Sequence, residues 1–216
     1  MRPSDEIFDI FDERMNPAGQ ASRSEVHARG LWHQTFHCWI VDPADGDTDA
    51  VLLFQERHPG KDTFPSLLDT SCAGHLLAGE AVEDGVRELE EELGLSVPFE
   101  ALVPCGMFAE EDIISEACID REFCHVYLRV NRQPLTQYRL QPEEVTGLYQ
   151  VPLEQVRKLA QGTLSEPIRI GGVAPDENGV LVPVERTVGP ADFVPHPGAY
   201  YELVLKAIDR IGKSAL

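Results

Sequence analysis

The stretch "GHLLAGEAVEDGVRELEEELGL", Gly74 to Leu95, passes from a glycine-punctuated apolar run into a segment crowded with carboxylates. Val82, Val86, Leu89 and Leu93 recur at +4, +7 and +11, the spacing of a helix that buries a narrow apolar stripe. At about 100° per residue, Glu88 and Glu92 stand one turn apart on a flank of that stripe, and Glu91 lies about 60° to the side of Glu88. Like charges four apart cost a helix only about 0.2–0.5 kcal/mol per pair, so the run can be a solvated face. It can equally be a surface that a cation neutralises. Gly74 and Gly79 before the helix let the backbone turn or approach a ligand closely, and Gly94 suits the left-handed position just past a helix end.

Outward from this stretch, the chain of 216 residues is 43% apolar and 25% charged, the balance of one folded domain. No run approaches the roughly 20 apolar residues of a membrane span, and the first residues carry no signal-peptide pattern, so a cytoplasmic protein without a membrane partner is expected. The five cysteines are odd in number and form no CxxC pair, which speaks for reduced, mostly buried thiols. A net charge of -19 repels nucleic acid and anionic lipid, so nucleic acid is not expected as a partner. An anionic ligand would need a cation as mediator.

The residues around "NPAG" suit a hairpin within 1–29, and "TFHCWIVD" and "DAVLLFQER" read as strands joined by the turn-rich "PADGDT". "FEALVPCGMFA" and "EFCHVYLRVN" are further strands, with "FAEEDIISEACIDREF" an acidic loop spanning much of the interval between them. "PLEQVRKLAQG" is a helix ending at Gly162, the Asn-Gly in "GGVAPDENGVLVPVERTV" marks a hairpin, and "YYELVLKAIDRI" has helical spacing. The expected product is a single mixed α/β domain over 1–216, with a core of about 30–162, the N-terminal hairpin and a C-terminal extension, 163–216, packed on it.

Gly74, Glu80, Arg87, Glu88, Leu89, Glu91, Glu92, Gly94 and Leu95 resemble the signature box of the Nudix hydrolases, with one residue fewer than usual between Glu80 and Arg87. The resemblance implies an α/β/α sandwich around a mixed sheet, and a hydrolase that cleaves a diphosphate linkage in a small nucleoside-diphosphate-type molecule. It implies Mg2+ or Mn2+ on Glu88, Glu91 and Glu92, with contributions from Glu80 and from Glu122 on a neighbouring strand, and a homodimer is a frequent assembly among relatives. Glu91, Glu88 and Arg87 are the implied catalytic residues, Arg87 as an orienter pairing with a helix glutamate. Divalent ions of this kind prefer oxygen ligands and retain sites for phosphate oxygens, which suits a strongly acidic protein.

Outside the box the chain resembles isopentenyl-diphosphate isomerases, a branch of the same fold. His27, His33 and His75 match that enzyme's metal-binding histidines, Asp120 and Glu122 its second carboxylates, and Lys61 its diphosphate contact; Lys61, His75 and Gly74 are therefore the expected substrate-binding residues. The isomerase cysteine directly precedes Gly-His, whereas here Ala73 stands there and Cys72 lies one position back, which turns the thiol to the other face of a strand. The full glutamate set favours hydrolase over isomerase, and over a binding module that cleaves nothing. Taken alone, His33 and His37 fit a core or a pocket wall, Glu111 is a lesser candidate for the base, His125 has no role, and Phe193, Tyr200 and Tyr201 fit packing or base stacking.

Overall fold

The structure, a computed structural model, describes residues 6–43 and 49–215. Most of the expected "PADGDT" loop, 44–48, lies outside them, as do 1–5 of the N-terminal part and Leu216. The N-terminal residues form the antiparallel hairpin β1 (Ile7–Phe11) and β2 (Pro17–Ser22), followed by α1 (Arg23–Arg29). Ser22 caps α1 by accepting the Glu25 N–H.

A nine-stranded mixed sheet follows. Its strands are β3 (His33–Asp42), β4 (Val51–Arg57), β5 (Leu68–Asp69), β6 (Cys72–His75), β7 (Val103–Ser115), β8 (Cys118–Val130), β9 (Val145–Pro152), β10 (Ile168–Pro175) and β11 (Leu181–Val188). The order along the main path is β11-β10-β9-β4-β3-β8-β7, and β3 with β8 is a parallel pair. Between β3 and β4 the ladder spans only Val41–Leu52 and Asp42–Val51. Beyond it the two strands part, β6 pairing with β3 and β5 with β4. The sheet is thus split, and the split is where a cleft can form.

Alternation along β3 decides the layers. Phe36, Cys38 and Ile40 face one apolar cluster with Leu89 and Leu93, whereas Trp39 and Val41 face another with Tyr200, Tyr201 and Val204. Helix α2 (Arg87–Leu93) covers the first face, and α4 (Gly198–Ala215), next to α3 (Leu153–Ala160), covers the second. This is the expected α/β/α sandwich. Cys38, Cys72 and Cys124 are buried and all five cysteines are free.

Three local expectations change. The α-helix is shorter than its stripe, because Val82–Val86 is a 3-10 helix that leads into α2, where Gly94 then takes the left-handed cap with φ 64°. The acidic segment at 108–123 is no loop: it is the long β7–β8 hairpin, so alternate carboxylates point to opposite faces. The strand expected from Phe99 begins only at Val103, after a 3-10 turn at Phe99–Ala101.

The tight contact of the 3-10 helix with the sheet is made through Gly85, which is buried; a Cβ there would lie 2.5 Å from Cβ of Phe36. Phe36 is fully buried and has no room to move aside. Gly85→Ala is expected to destabilise the fold by about 1–3 kcal/mol, as overpacking does, read as a lower urea midpoint with an unchanged m-value.

Candidate active site

The cleft at the split has a volume of about 580 Å³ and is walled by β3, β6, β7, β8, α1, α2 and the segment before α4. One wall is the glutamate face. Arg87 donates from Nε and Nη2 to the two oxygens of Glu80, at 2.9 and 3.0 Å, and from Nη1 to Glu88 at 2.5 Å and Glu91 at 3.2 Å. Its remaining Nη2 hydrogen goes to the His75 carbonyl at 3.0 Å. Arg87 therefore pairs with a helix glutamate, as expected, but its bidentate partner is Glu80. Both Glu80 oxygens are engaged, one also accepting the Leu77 N–H, which makes Glu80 a brace for Arg87.

Glu88 and Glu92 are buried, while the Glu91 side chain is 54% exposed at the cleft mouth. Glu88 lies against Gly74, where a Cβ would fall 2.1 Å from its carboxyl carbon. Gly74 thus makes room for a carboxylate. Burial and the negative charge of Glu92 push the Glu88 carboxyl upward, and burial also raises Glu92 despite nearby Lys61. Lys61 lines the same wall, paired with Glu144, and burial lowers its pKa.

The second wall is a histidine cluster. His27 from α1, His33 at the start of β3 and His75 at the end of β6 bring ligand nitrogens within 4.8 Å of one another. The Nε2 atoms of all three are buried without a hydrogen-bond partner, as is Asp120 Oδ1. Asp120 Oδ1 lies 3.6 Å from His27 Nε2 and 3.7 Å from His33 Nε2, and Glu122 Oε1 lies 3.7 Å from His75 Nε2 and 3.9 Å from His33 Nε2. His33 Nδ1, 3.1 Å from the Leu31 carbonyl, can face it only as N–H, so neutral His33 presents a bare Nε2 lone pair to the carboxylates.

Burial, with the neighbouring His33 and Arg23, lowers His27 to about 4, and burial likewise lowers His33 and His75. The rings are then neutral at pH 7, which is the form that binds metal. Burial and Glu122 together raise Asp120 well above the carboxylate range. Unpartnered His33 and His75 lone pairs facing the Glu122 carboxylate in a buried space are costly without a cation, so this donor set fits a divalent ion. Phe8 of the hairpin stacks on His33 and His75, at 5.3 and 4.7 Å between ring centres, and roofs the cluster.

The structure brings Glu80, Arg87, Glu88, Glu91, Glu92, Glu122, Lys61, His75 and Gly74 to one cleft. His37 also lines it, and the fully buried His33 belongs to the cluster. Glu111 does not: it pairs with Arg121 outside the cleft. His125 bonds Gln34 at 2.8 Å, again outside. One group was not foreseen. His196 sits buried between Asp69 at 2.9 Å and Glu110 at 3.0 Å. Burial opposes its charge, but the two carboxylates hold it protonated, up to about 10. Separations of 127 and 86 positions leave no local pattern by which this triad could be found.

The Nudix domain profile matches residues 31–168 of the chain. The chain belongs to the Nudix family. An uncharacterised Nudix hydrolase of Clostridium acetobutylicum is 41% identical over 204 residues, covering 94% of this chain and 97% of that protein. Isopentenyl-diphosphate Delta-isomerase 2 of Photorhabdus laumondii is 30% identical over 157 residues, covering 72% and 82%. A crystal structure from Deinococcus radiodurans has the same fold with a TM-score of 0.54 at 22% identity, covering 73% of this chain and 90% of that one. The protein is a Nudix hydrolase, and enzymes of this family generally use divalent metals. Among the described residues no helix is long and apolar enough to cross a membrane.

The raised Glu88 and Glu92 have a consequence for stability. An acid whose pKa is higher in the fold than in the unfolded chain imposes no penalty while protonated, and destabilises the fold as pH rises above the ordinary carboxylate range. A divalent cation on these oxygens relieves the penalty. Added Mg2+ is therefore expected to raise the melting temperature more at about pH 8.5 than at about pH 6.5. Gly74→Ala, which displaces Glu88, is expected to lose most of that rise while keeping its far-UV circular dichroism. A Mg2+ effect independent of pH and of Gly74 would place the cation elsewhere.

Proposed function

We propose that this Nudix hydrolase cleaves a diphosphate linkage in a small nucleoside-diphosphate-type substrate, with Mg2+ or Mn2+ held by Glu88, Glu91 and Glu92. The observation that carries the proposal is that these three carboxylates line one cleft, Glu88 and Glu91 bonded to Arg87. Divalent ions on them would neutralise the diphosphate, polarise the bond under attack and acidify a water. His27, His33 and His75 with Asp120 and Glu122 offer a second, nitrogen-rich seat across the same cleft.

The chain's own residues divide the work by position. Lys61 and Arg23 line the cleft and would supply cations for phosphate oxygens. Arg87 keeps Glu88 and Glu91 in place through charged hydrogen bonds. Glu91, whose side chain is the most open of the three glutamates, would take the proton of an attacking water. Glu80 contributes through Arg87.

The histidine cluster and the isomerase relative favour a second reading, an isopentenyl-diphosphate isomerase-like enzyme. Against it, Ala73 lines the cleft at the position of the isomerase cysteine. Cys72 is fully buried beneath Glu92, and burial and that carboxylate hold its thiol well above the ordinary range.

The test is a metal-dependent screen of nucleoside diphosphate derivatives, dinucleoside polyphosphates and isopentenyl diphosphate, with products identified by mass. Phosphoanhydride cleavage is expected, reduced at least about 100-fold in kcat by Glu91→Gln and by Glu92→Gln. Glu91→Gln should leave the melting temperature nearly unchanged. Glu92 is buried off the solvent face and accepts the Ala73 N–H, so Glu92→Gln should cost some stability as well. Full activity in both variants would sink the proposal, and a rearranged isopentenyl diphosphate with its diphosphate intact would install the isomerase instead.

A further inference from the structure

Tyr200, in the first turn of α4, is fully buried, yet its hydroxyl has three polar neighbours. Trp39 Nε1 lies 3.1 Å away, Thr70 Oγ1 2.9 Å and His37 Nδ1 2.8 Å. The indole N–H can only donate, so the Tyr200 oxygen accepts at least one bond. His37 Nε2 faces Glu122 Oε2 at 3.5 Å. A neutral imidazole that presented a bare Nε2 there would set a lone pair against a carboxylate. With the proton on Nε2, His37 Nδ1 becomes the acceptor, Tyr200 donates to it, and Thr70 donates to Tyr200. Every group in the chain is then satisfied.

Glu122 is loaded unequally by this arrangement. Its Oε2 meets Thr35 Oγ1 at 3.3 Å and Cys124 Sγ at 3.5 Å in addition to His37. Among the described residues its Oε1 lies against the unpartnered nitrogens of His33 and His75. The protein holds one oxygen and leaves the other to the cluster. Tyr200 itself is fixed by the buried His196 ring, stacked on it at 4.3 Å.

We propose that Tyr200 and His37 are positioning residues that orient Glu122 toward the histidine seat, so that the C-terminal segment is a working part of a metal site whose ligands all precede it in the chain. The proposal rests on reading His27, His33, His75 and Glu122 as that seat. Outer partners of this kind commonly change metal affinity about 10- to 100-fold when removed. Tyr200→Phe keeps the ring and its packing and deletes only the hydroxyl. His37→Ala breaks the relay at its other end and leaves the Trp39 and Thr70 bonds to Tyr200 intact.

The test titrates the full-length protein with Co2+, whose visible bands report ligand geometry, using His33→Ala to identify the bands of this seat. Tyr200→Phe and His37→Ala are each expected to weaken Co2+ binding there about 10- to 100-fold and to shift the bands, with the double variant no weaker than His37→Ala alone. Should Tyr200→Phe fail to fold, His37→Ala decides by the same criterion. Wild-type affinity and spectrum in the relay variants, with the bands lost in His33→Ala, would overturn the relay and leave the seat standing. If His33→Ala binds Co2+ as the wild type does, the seat itself fails and the relay falls with it.

Discussion

All five N–H donors of the Arg87 guanidinium are spent on protein oxygens, and the cleft depends on that arrangement. Two go to Glu80 on the loop before the 3-10 helix, two to Glu88 and Glu91 on α2, and one to the His75 carbonyl on β6. Loop, helix and strand are therefore held in one register by a single planar group. A lysine, with three rotating donors on a point charge, could not reproduce the fork to Glu80 while bonding the others. The His75 contact reaches further, because it ties the glutamate face to a strand that ends in the histidine cluster.

Buried carboxylates are handled in two ways within this cleft, and the difference separates scaffold from chemistry. Asp69 and Glu110 enclose a charged His196, and Asp69 is also bonded by Arg57 at 2.7 Å. That group is closed, with its charges and hydrogen bonds answered inside the protein. Asp120 and Glu122 face three neutral imidazoles that bring no charge, and Glu88 and Glu92 share Arg87 and Lys61 between them. Those groups are open. Burial favours the protonated form of Asp120, Glu88 and Glu92 until a cation displaces the proton, whereas the balanced set lies where the C-terminal segment must simply be held.

How much of this was legible in the sequence depends on the range of the interactions. The stripe through Leu89 and Leu93 follows from a period of 3.6, the hairpin from its Asn-Gly turn and the strand through Trp39 from its residue types, and the structure has them. The glutamate set was readable because its members lie on one helix. The long β7–β8 hairpin was hidden by its charge: Glu110, Asp112, Asp120 and Glu122 fill inward positions that composition assigns to solvent, and only the cleft makes them acceptable there. His37 and Tyr200 are 163 positions apart, and no local pattern records that their side chains meet.

The shortened spacer between Glu80 and Arg87 shows how conformation can stand in for length. A residue fewer in an α-helical lead would retract Arg87 by about 1.5 Å and rotate it by about 100°, which would break the fork to Glu80. Val82–Val86 is instead a 3-10 helix, rising about 2.0 Å per residue, so its five residues span about 10 Å where an α-helix would cover about 7.5 Å. The difference is enough to replace the missing residue. Asp84 secures the tighter winding by accepting the Ala81 N–H at 2.8 Å, and Gly85 lets the turn press against Phe36. A departure from the family spacing thus leaves Glu80 and Arg87 in bidentate contact, because sequence pattern is constrained through the distance it must bridge and not through the number of residues that bridge it.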